Sequence, residues 1–360
     1  MRSFSNDYAP ARFTAAVPVR VNLASDTQTR PSAAMKAAMM AAATGDEQDG
    51  ADPTIWALCD RTAALLGKEA AMFLPSGTMC NQIALATWCR PGEEVLAHED
   101  AHIQGAEAGG PAAISGVMVK GLPGPRGIFS AETLEAAIRE PGRYSPPQTL
   151  VEVEQTANRG GGACWTKAEL DDVAAVARAH DLVLHMDGAR LMNAAVKLGV
   201  PAAAQCEHID SVWIDFTKGL GAPLGAVLAG PRDFIGAAWR WKQRLGGAMR
   251  QGGICAAACL YALDHNIDRL AEDHANAALL AHGLAEVPGI AVEMVETNLV
   301  FFDTRGAGLT ASALRDRLKA QGILVSLSDT YRLRACTHLD VDAAGIAVAV
   351  AAVGQACRVA

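Results

Sequence analysis

The chain has 360 residues, 51% of them hydrophobic and 19% charged, which is enough apolar surface to offset chain entropy and excludes intrinsic disorder. Its 31 Lys and Arg against 39 Asp and Glu give a formal net charge of −8. No run of five like charges occurs, so a phosphate-backbone partner such as DNA or RNA is not expected. No stretch of eighteen apolar residues is present, and the opening MRSFSNDYAPARF lacks the apolar run of a signal sequence, so the expectation is a soluble, cytoplasmic protein with no membrane partner.

The length suits a large domain with a smaller one. The first residues are irregular, with Pro10 and Pro18, and read as an arm over 1–24 lying on another surface. A large domain is expected over 25–253. AAMFLP (70–75) is a short strand, followed by Ser76-Gly77-Thr78 and a helix that ends before Pro91-Gly92; EVLAH (94–98) is the next apolar run. TLVEVE (149–154) reads as a strand, and Thr166 with Glu169 forms a capping box that opens a helix to about 180. LVLHMD (182–187) is a strand followed by a helix over 188–198, and SVWIDFT (211–217) is another, leading through KGLGAPLGAVLAG into one more. Strands alternating with helices indicate an α/β fold with a mostly parallel sheet covered on both faces. One unbroken helix is expected from 254 to about 285, bridging to a small C-terminal α+β domain, the two together spanning 254–360. The nine cysteines form no CxxC pair and read as small core residues.

In open parallel sheets a ligand binds beyond the carboxyl ends of the strands. Here the strand at 182–187 ends in Asp187, the strand at 211–217 leads to Lys218, and the first run delivers Ser76-Gly77-Thr78 onto a helix N-terminus. Taken singly, these are an N-cap, a solvated lysine and an ordinary cap. Together they supply what pyridoxal phosphate needs: an amine for a covalent link, a carboxylate that keeps the pyridine nitrogen protonated, and helix-terminal amides for the phosphate.

The stretches PSGTMCNQIAL (75–85), EDAHI (99–103), HMDGARL (185–191), TKGLGAPLGAVLAG (217–230), GGAMRQGG (246–253) and RACTHLDV (334–341) carry a resemblance. From about residue 21 onward the chain resembles the threonine aldolases of the aromatic amino acid β-eliminating lyase/threonine aldolase group, which are fold type I pyridoxal phosphate enzymes. The resemblance implies Lys218 as the cofactor-linked catalytic lysine and Asp187 as partner of the pyridine nitrogen. It places Gly77 and Thr78 at the phosphate, His102 over the ring, and Arg250 reaching phosphate or substrate from a neighbouring subunit. Ser25, Arg190 and Arg334 match positions near the substrate carboxylate, where a guanidinium fork suits bidentate binding; Arg190 is counted with the cofactor-binding residues as well. The implied reaction is retro-aldol cleavage of an L-β-hydroxy-α-amino acid to glycine and an aldehyde, with His102 or a water taking the β-hydroxyl proton. A β-eliminating lyase or an amino acid racemase would use the same Lys218 and Asp187. Family members build each site from two subunits, which implies a homo-oligomer, commonly a tetramer of two dimers.

The chain departs from the family pattern at several places. Where the family reads ENTHN, Glu154-Gln155-Thr156-Ala157-Asn158 stands, so Ala157 replaces an imidazole. Asp49 and Ala51 stand where tyrosine and glutamate are typical, Ala24 where arginine is common, and Gln243 where lysine is frequent. Ala157 is expected to enlarge the substrate side-chain end of the site and to favour larger or aromatic β-hydroxy amino acids, and restoring histidine there is expected to shift preference toward threonine.

His98-Glu99-Asp100-Ala101-His102 matches HExxH, and Gly105 extends it. The motif binds zinc only on a helix, yet here it follows a strand-like EVLA; Ala108 occupies the third-ligand position, and 118–126 holds no glutamate. No metal is expected. Gly160-Gly161-Gly162 lacks the Gly-Lys-Ser/Thr of a phosphate loop and reads as a turn near the site.

Overall fold

Short apolar runs bounded by turns pair into one large sheet. In the computed structural model, which describes residues 17–358, a two-residue strand β1 (Val21–Asn22) is followed by β2 (Ala70–Leu74), β3 (Glu94–His98), β4 (Met118–Leu122) and β5 (Gln148–Glu154). Then come β6 (Val183–Gly188), β7 (Ser211–Asp215) and β8 (Ala226–Gly230). The large sheet has the order β2–β8–β7–β6–β5–β3–β4. Only β8 runs against its neighbours; all other pairs are parallel. Every residue of β3, β7 and β8 is buried, as strands covered on both faces require. The first sixteen residues of the expected arm lie outside the described residues.

Local signals set the helix starts. Ser76 Oγ accepts from Met79 N (3.3 Å) at the head of the helix Gly77–Trp88. Thr166 and Glu169 form both halves of a capping box at the head of Lys167–Ala179. Thr166→Ala should therefore lower stability by about 1 kcal/mol, read as a drop in the thermal unfolding midpoint.

Two expectations need amendment. The strand ending in 217 stops at Asp215, because Asp215 Oδ1 accepts from Thr217 N and Thr217 Oγ1 (both 2.7 Å) and turns the chain out of the sheet. That turn carries Lys218 away from the ladder. The single bridging helix is instead two, Gly253–His265 and Leu270–Ala285. Asn266, buried at the break, donates its Nδ2 to Leu220 O (2.7 Å), and this tertiary bond ties the interhelical turn to the loop after Lys218.

The C-terminal strands are β9 (Ala291–Val292), β10 (Leu299–Asp303), β11 (Ile323–Leu324), β12 (Ser326–Leu327) and β13 (Arg332–Cys336). Four form an antiparallel sheet in the order β12–β13–β10–β9, while β11 pairs in parallel with β1. Val21 and Leu23 are buried in the core of this unit with Phe302, Leu314, Leu333 and Val353, so the last residues of the expected arm are part of it. Among the described residues no helix is long and apolar enough to cross a membrane.

Candidate active site

The carboxyl ends of β2, β5, β6 and β7 open on a cavity of about 340 Å³. Its walls hold Gly77, Thr78, His102, Asp187 and Lys218, and on the substrate side Ser25, Arg190 and Arg334. Arg250 and Ala157 are the expected site residues that it leaves out.

Asp187, at the end of β6, is buried; its Oδ2 accepts from Asn81 Nδ2 (2.9 Å) and its Oδ1 from Ala189 N (3.0 Å). Burial pushes its carboxyl up, against the opposing pull of His102, Asn81 and Lys218. The Nζ of Lys218 is ion-paired with Asp215 Oδ2. Gly77 is required sterically, since a Cβ there would sit 2.1 Å from the ring of Trp213.

His102 follows β3 and opens a short helix, His102–Gly105. Its backbone N donates to Glu154 Oε2 (2.8 Å) and its Nδ1 lies 2.8 Å from Oε1 of the buried Glu107. That hydrogen bond pushes the imidazole above its ordinary value of 6.5, and Nε2 has no partner among the described residues. Glu107 Oε1 also accepts from Asn81 Nδ2 (2.8 Å), so one amide links the carboxylates under His102 and at Asp187. Asn81 Oδ1 in turn accepts from Trp213 Nε1 (2.6 Å), which fixes the orientation of the amide. Glu154 lines the cavity, and burial with the nearby Asp187 charge pushes its carboxyl up to about 7.

The two guanidinium groups differ. Arg190 donates through Nε and Nη2 to Asp26 (2.7 and 2.8 Å), and Asp26 also accepts from Asn298 Nδ2 (3.0 Å). Despite its burial, the Arg190 charge holds Asp26 well below the usual carboxylate range. Nε and Nη2 are therefore engaged on Asp26, while Nη1 has no partner among the described residues and Arg190 lines the cavity. Arg334 donates Nη1 to Asn158 Oδ1 (2.9 Å) and keeps a buried, unpartnered Nε in the cavity wall.

Ala157 lies outside the lining of the main cavity. It is buried, it bridges to Ala163, and its Cβ would lie 2.5 Å from a Cβ added at Gly127 and 3.1 Å from one at Gly160. Chain from another segment thus packs closely against the Ala157 side chain. Ala157→His should cost about 1–3 kcal/mol by overpacking, seen in the unfolding midpoint, with no shift of substrate preference toward threonine. Arg250 is exposed and paired with Asp46 (2.9 Å), away from the cavity of its own chain. The HExxH residues divide between a strand and a separate short helix: His98 ends β3 with its Nε2 at Gly124 O, so the two imidazoles share no helical face. His102, Glu107 and Asp187 do place ligand atoms within 4.8 Å of one another, yet Asn81 Nδ2 donates to both carboxylates where a cation would have to sit.

Sequence reading missed Asn81, Glu107, Asp215 and Asp26. Asn81 had a signal: it stands four residues after Gly77 and so on the same helical face. The other three had none that local pattern supplies.

The residues present fit pyridoxal phosphate. Asp187 is a buried carboxylate whose direct donors are all neutral, as the partner of a protonated ring nitrogen should be. The amides of the first turn at Gly77 and Thr78 face no preceding helical carbonyl and suit a phosphate. Lys218 supplies the amine.

The comparisons with known proteins agree with this geometry. Residues 22–307 match the family model described as beta-eliminating lyase. The chain is 42% identical to low-specificity L-threonine aldolase 1 of Arabidopsis thaliana over 325 residues, covering 88% of this chain and 91% of that one. It is 41% identical to the low specificity L-threonine aldolase of Escherichia coli K12, covering 89% and 94%. In fold it is similar to the threonine aldolase of Leishmania major, with a TM-score of 0.80 at 23% identity over 94% of this chain and 99% of that one. The chain thus belongs to the beta-eliminating lyase family, within its threonine aldolase group.

Proposed function

We propose that this protein is a pyridoxal phosphate-dependent lyase that cleaves L-β-hydroxy-α-amino acids to glycine and an aldehyde. The observation that carries the reading is the convergence, at one end of the sheet, of Lys218, Asp187 and the Gly77 helix terminus with a His102 whose Nδ1 is tied to Glu107. When bound, the cofactor supplies an electron-withdrawing ring that stabilises negative charge at the α-carbon of the amino acid. Asp187 holds the ring nitrogen's proton, and the amides at Gly77 and Thr78 hold the phosphate. Arg334, in the same wall as Arg190, receives the substrate carboxylate beside Ser25. Arg190, locked on Asp26, shapes that wall.

His102 takes the β-hydroxyl proton at Nε2. Because Glu107 raises its proton affinity, the imidazole reaches its basic form only as pH climbs through and beyond 6.5, so cleavage should quicken with rising pH across neutrality. Glu154, titrating near 7 and bonded to the backbone of His102, adds a second ionisation in the same range. The names of the relatives support a broad choice of β-substituent in place of one dedicated substrate.

A racemase or β-eliminating lyase is the second reading. It is favoured by 32% identity to the alanine racemase TOXG of Cochliobolus carbonum over 85% of this chain. The exposed Arg250, outside its own cavity, supports a homo-oligomer in which it serves a neighbouring subunit, a tetramer of dimers on the family pattern. A cytoplasmic location belongs to the same reading, as does a division into an arm (1–24), a large domain (25–253) and a bridge with a small domain (254–360). The separate C-terminal core supports that division.

The test is release of benzaldehyde from L-phenylserine by cofactor-loaded protein, together with borohydride reduction and peptide mapping. The expected result is aldehyde formation and a reduced cofactor adduct on Lys218. A protein that binds no cofactor there contradicts the proposal.

A further inference from the structure

The lysine that carries the cofactor has an acidic neighbour that the sequence did not mark. Asp215 ends β7 with its side chain only 5% exposed. Its Oδ1 is committed to Thr217 N and Thr217 Oγ1, while Oδ2 meets Lys218 Nζ. The carboxylate is thus fixed in place by its own turn, with one oxygen left for the lysine. The Lys218 side chain is itself mostly buried, and Trp213 places its ring 5.8 Å from Nζ. An ammonium in such a place is costly unless a carboxylate stands against it.

We propose that Asp215 is the positioning residue that receives Lys218 when an incoming amino acid displaces it from the cofactor. This rests on the cofactor reading above. With the cofactor bound through Lys218 as a protonated imine, an incoming ammonium would form its bond to the same carbon and give up two protons, and Lys218 Nζ, as its own bond to that carbon breaks, would take up two and leave as the ammonium. Charge is conserved, but the positive group comes to rest on a mostly buried side chain in the cavity wall. Asp215 offsets the cost of that move. It also holds the freed lysine at the end of β7, so that Lys218 stays close enough to return and release the product.

The experiment is a glycine titration of the cofactor-loaded protein, followed by visible absorbance; glycine has no β-carbon, so displacement is seen without cleavage. Asp215→Asn keeps shape and removes charge. Its apparent Kd for glycine should rise by about tenfold or more with full cofactor content, and Asp215→Glu should recover part of the affinity. An unchanged Kd overturns the proposal, as does a weakening that only accompanies loss of cofactor, because that is what a purely structural role would give. If the unsubstituted protein exchanges glycine normally but cleaves no hydroxyamino acid, the proposed function falls while Asp215 keeps this role.

Discussion

Asp187→Asn is expected to lower kcat by about 10²- to 10³-fold while leaving the cofactor bound. The substitution keeps the shape and one of the two oxygen-directed contacts, those from Asn81 Nδ2 and Ala189 N, and removes the charge that, on the proposed reading, holds a proton on the ring nitrogen. An unprotonated ring withdraws electrons weakly, so the loss falls on the step that places negative charge at the α-carbon and leaves substrate binding nearly intact. Steady-state kcat and KM, with cofactor content read from absorbance, check this. A KM effect without a kcat effect would mean that Asp187 serves the ligand in another way.

Glu107→Gln should reduce kcat by about 10²-fold and move the acidic limb of the pH profile to lower pH. The sign follows from the partner: Glu107 raises the proton affinity of His102, so removing its charge lets the imidazole lose its proton earlier. The rate nevertheless falls, because a glutamine brings donors of its own to a place where His102 Nδ1, Asn81 Nδ2 and Gln82 Nε2 all approach a carboxylate. Donors left unpaired there loosen the ring orientation of His102 and, through Asn81, the setting of Asp187. A pH–rate profile of kcat/KM separates the two effects; a lower rate with an unmoved limb would detach His102 from the titration.

The parts of this molecule that could be read from sequence are those set by neighbours in the chain. The Thr166–Glu169 capping box, the strand ending in Asp187 and the helix opened at Gly77 depend on a few adjacent residues, and the structure places them as read. Lys218 was legible for the same reason, although the residue that turns it out of the sheet was not. What escaped is set across long separations. The break at Asn266 is fixed by Leu220 O, Nε and Nη2 of Arg190 are taken by Asp26, and Gly127 packs closely against Ala157. Periodicity places a side chain on a face but does not say which distant group meets it there. Glu107 is the clearest case: five residues beyond His102 on a short irregular stretch, it finds Asn81 and Gln82 on another helix.

The central claim, that this site breaks the Cα–Cβ bond of a β-hydroxy amino acid, is tested most directly by proton NMR of cofactor-loaded protein incubated with L-threonine, L-allo-threonine and L-phenylserine. The account predicts glycine and the matching aldehyde in equal amounts from at least one of them. A 2-keto acid, or an epimerised amino acid formed without glycine, would contradict it.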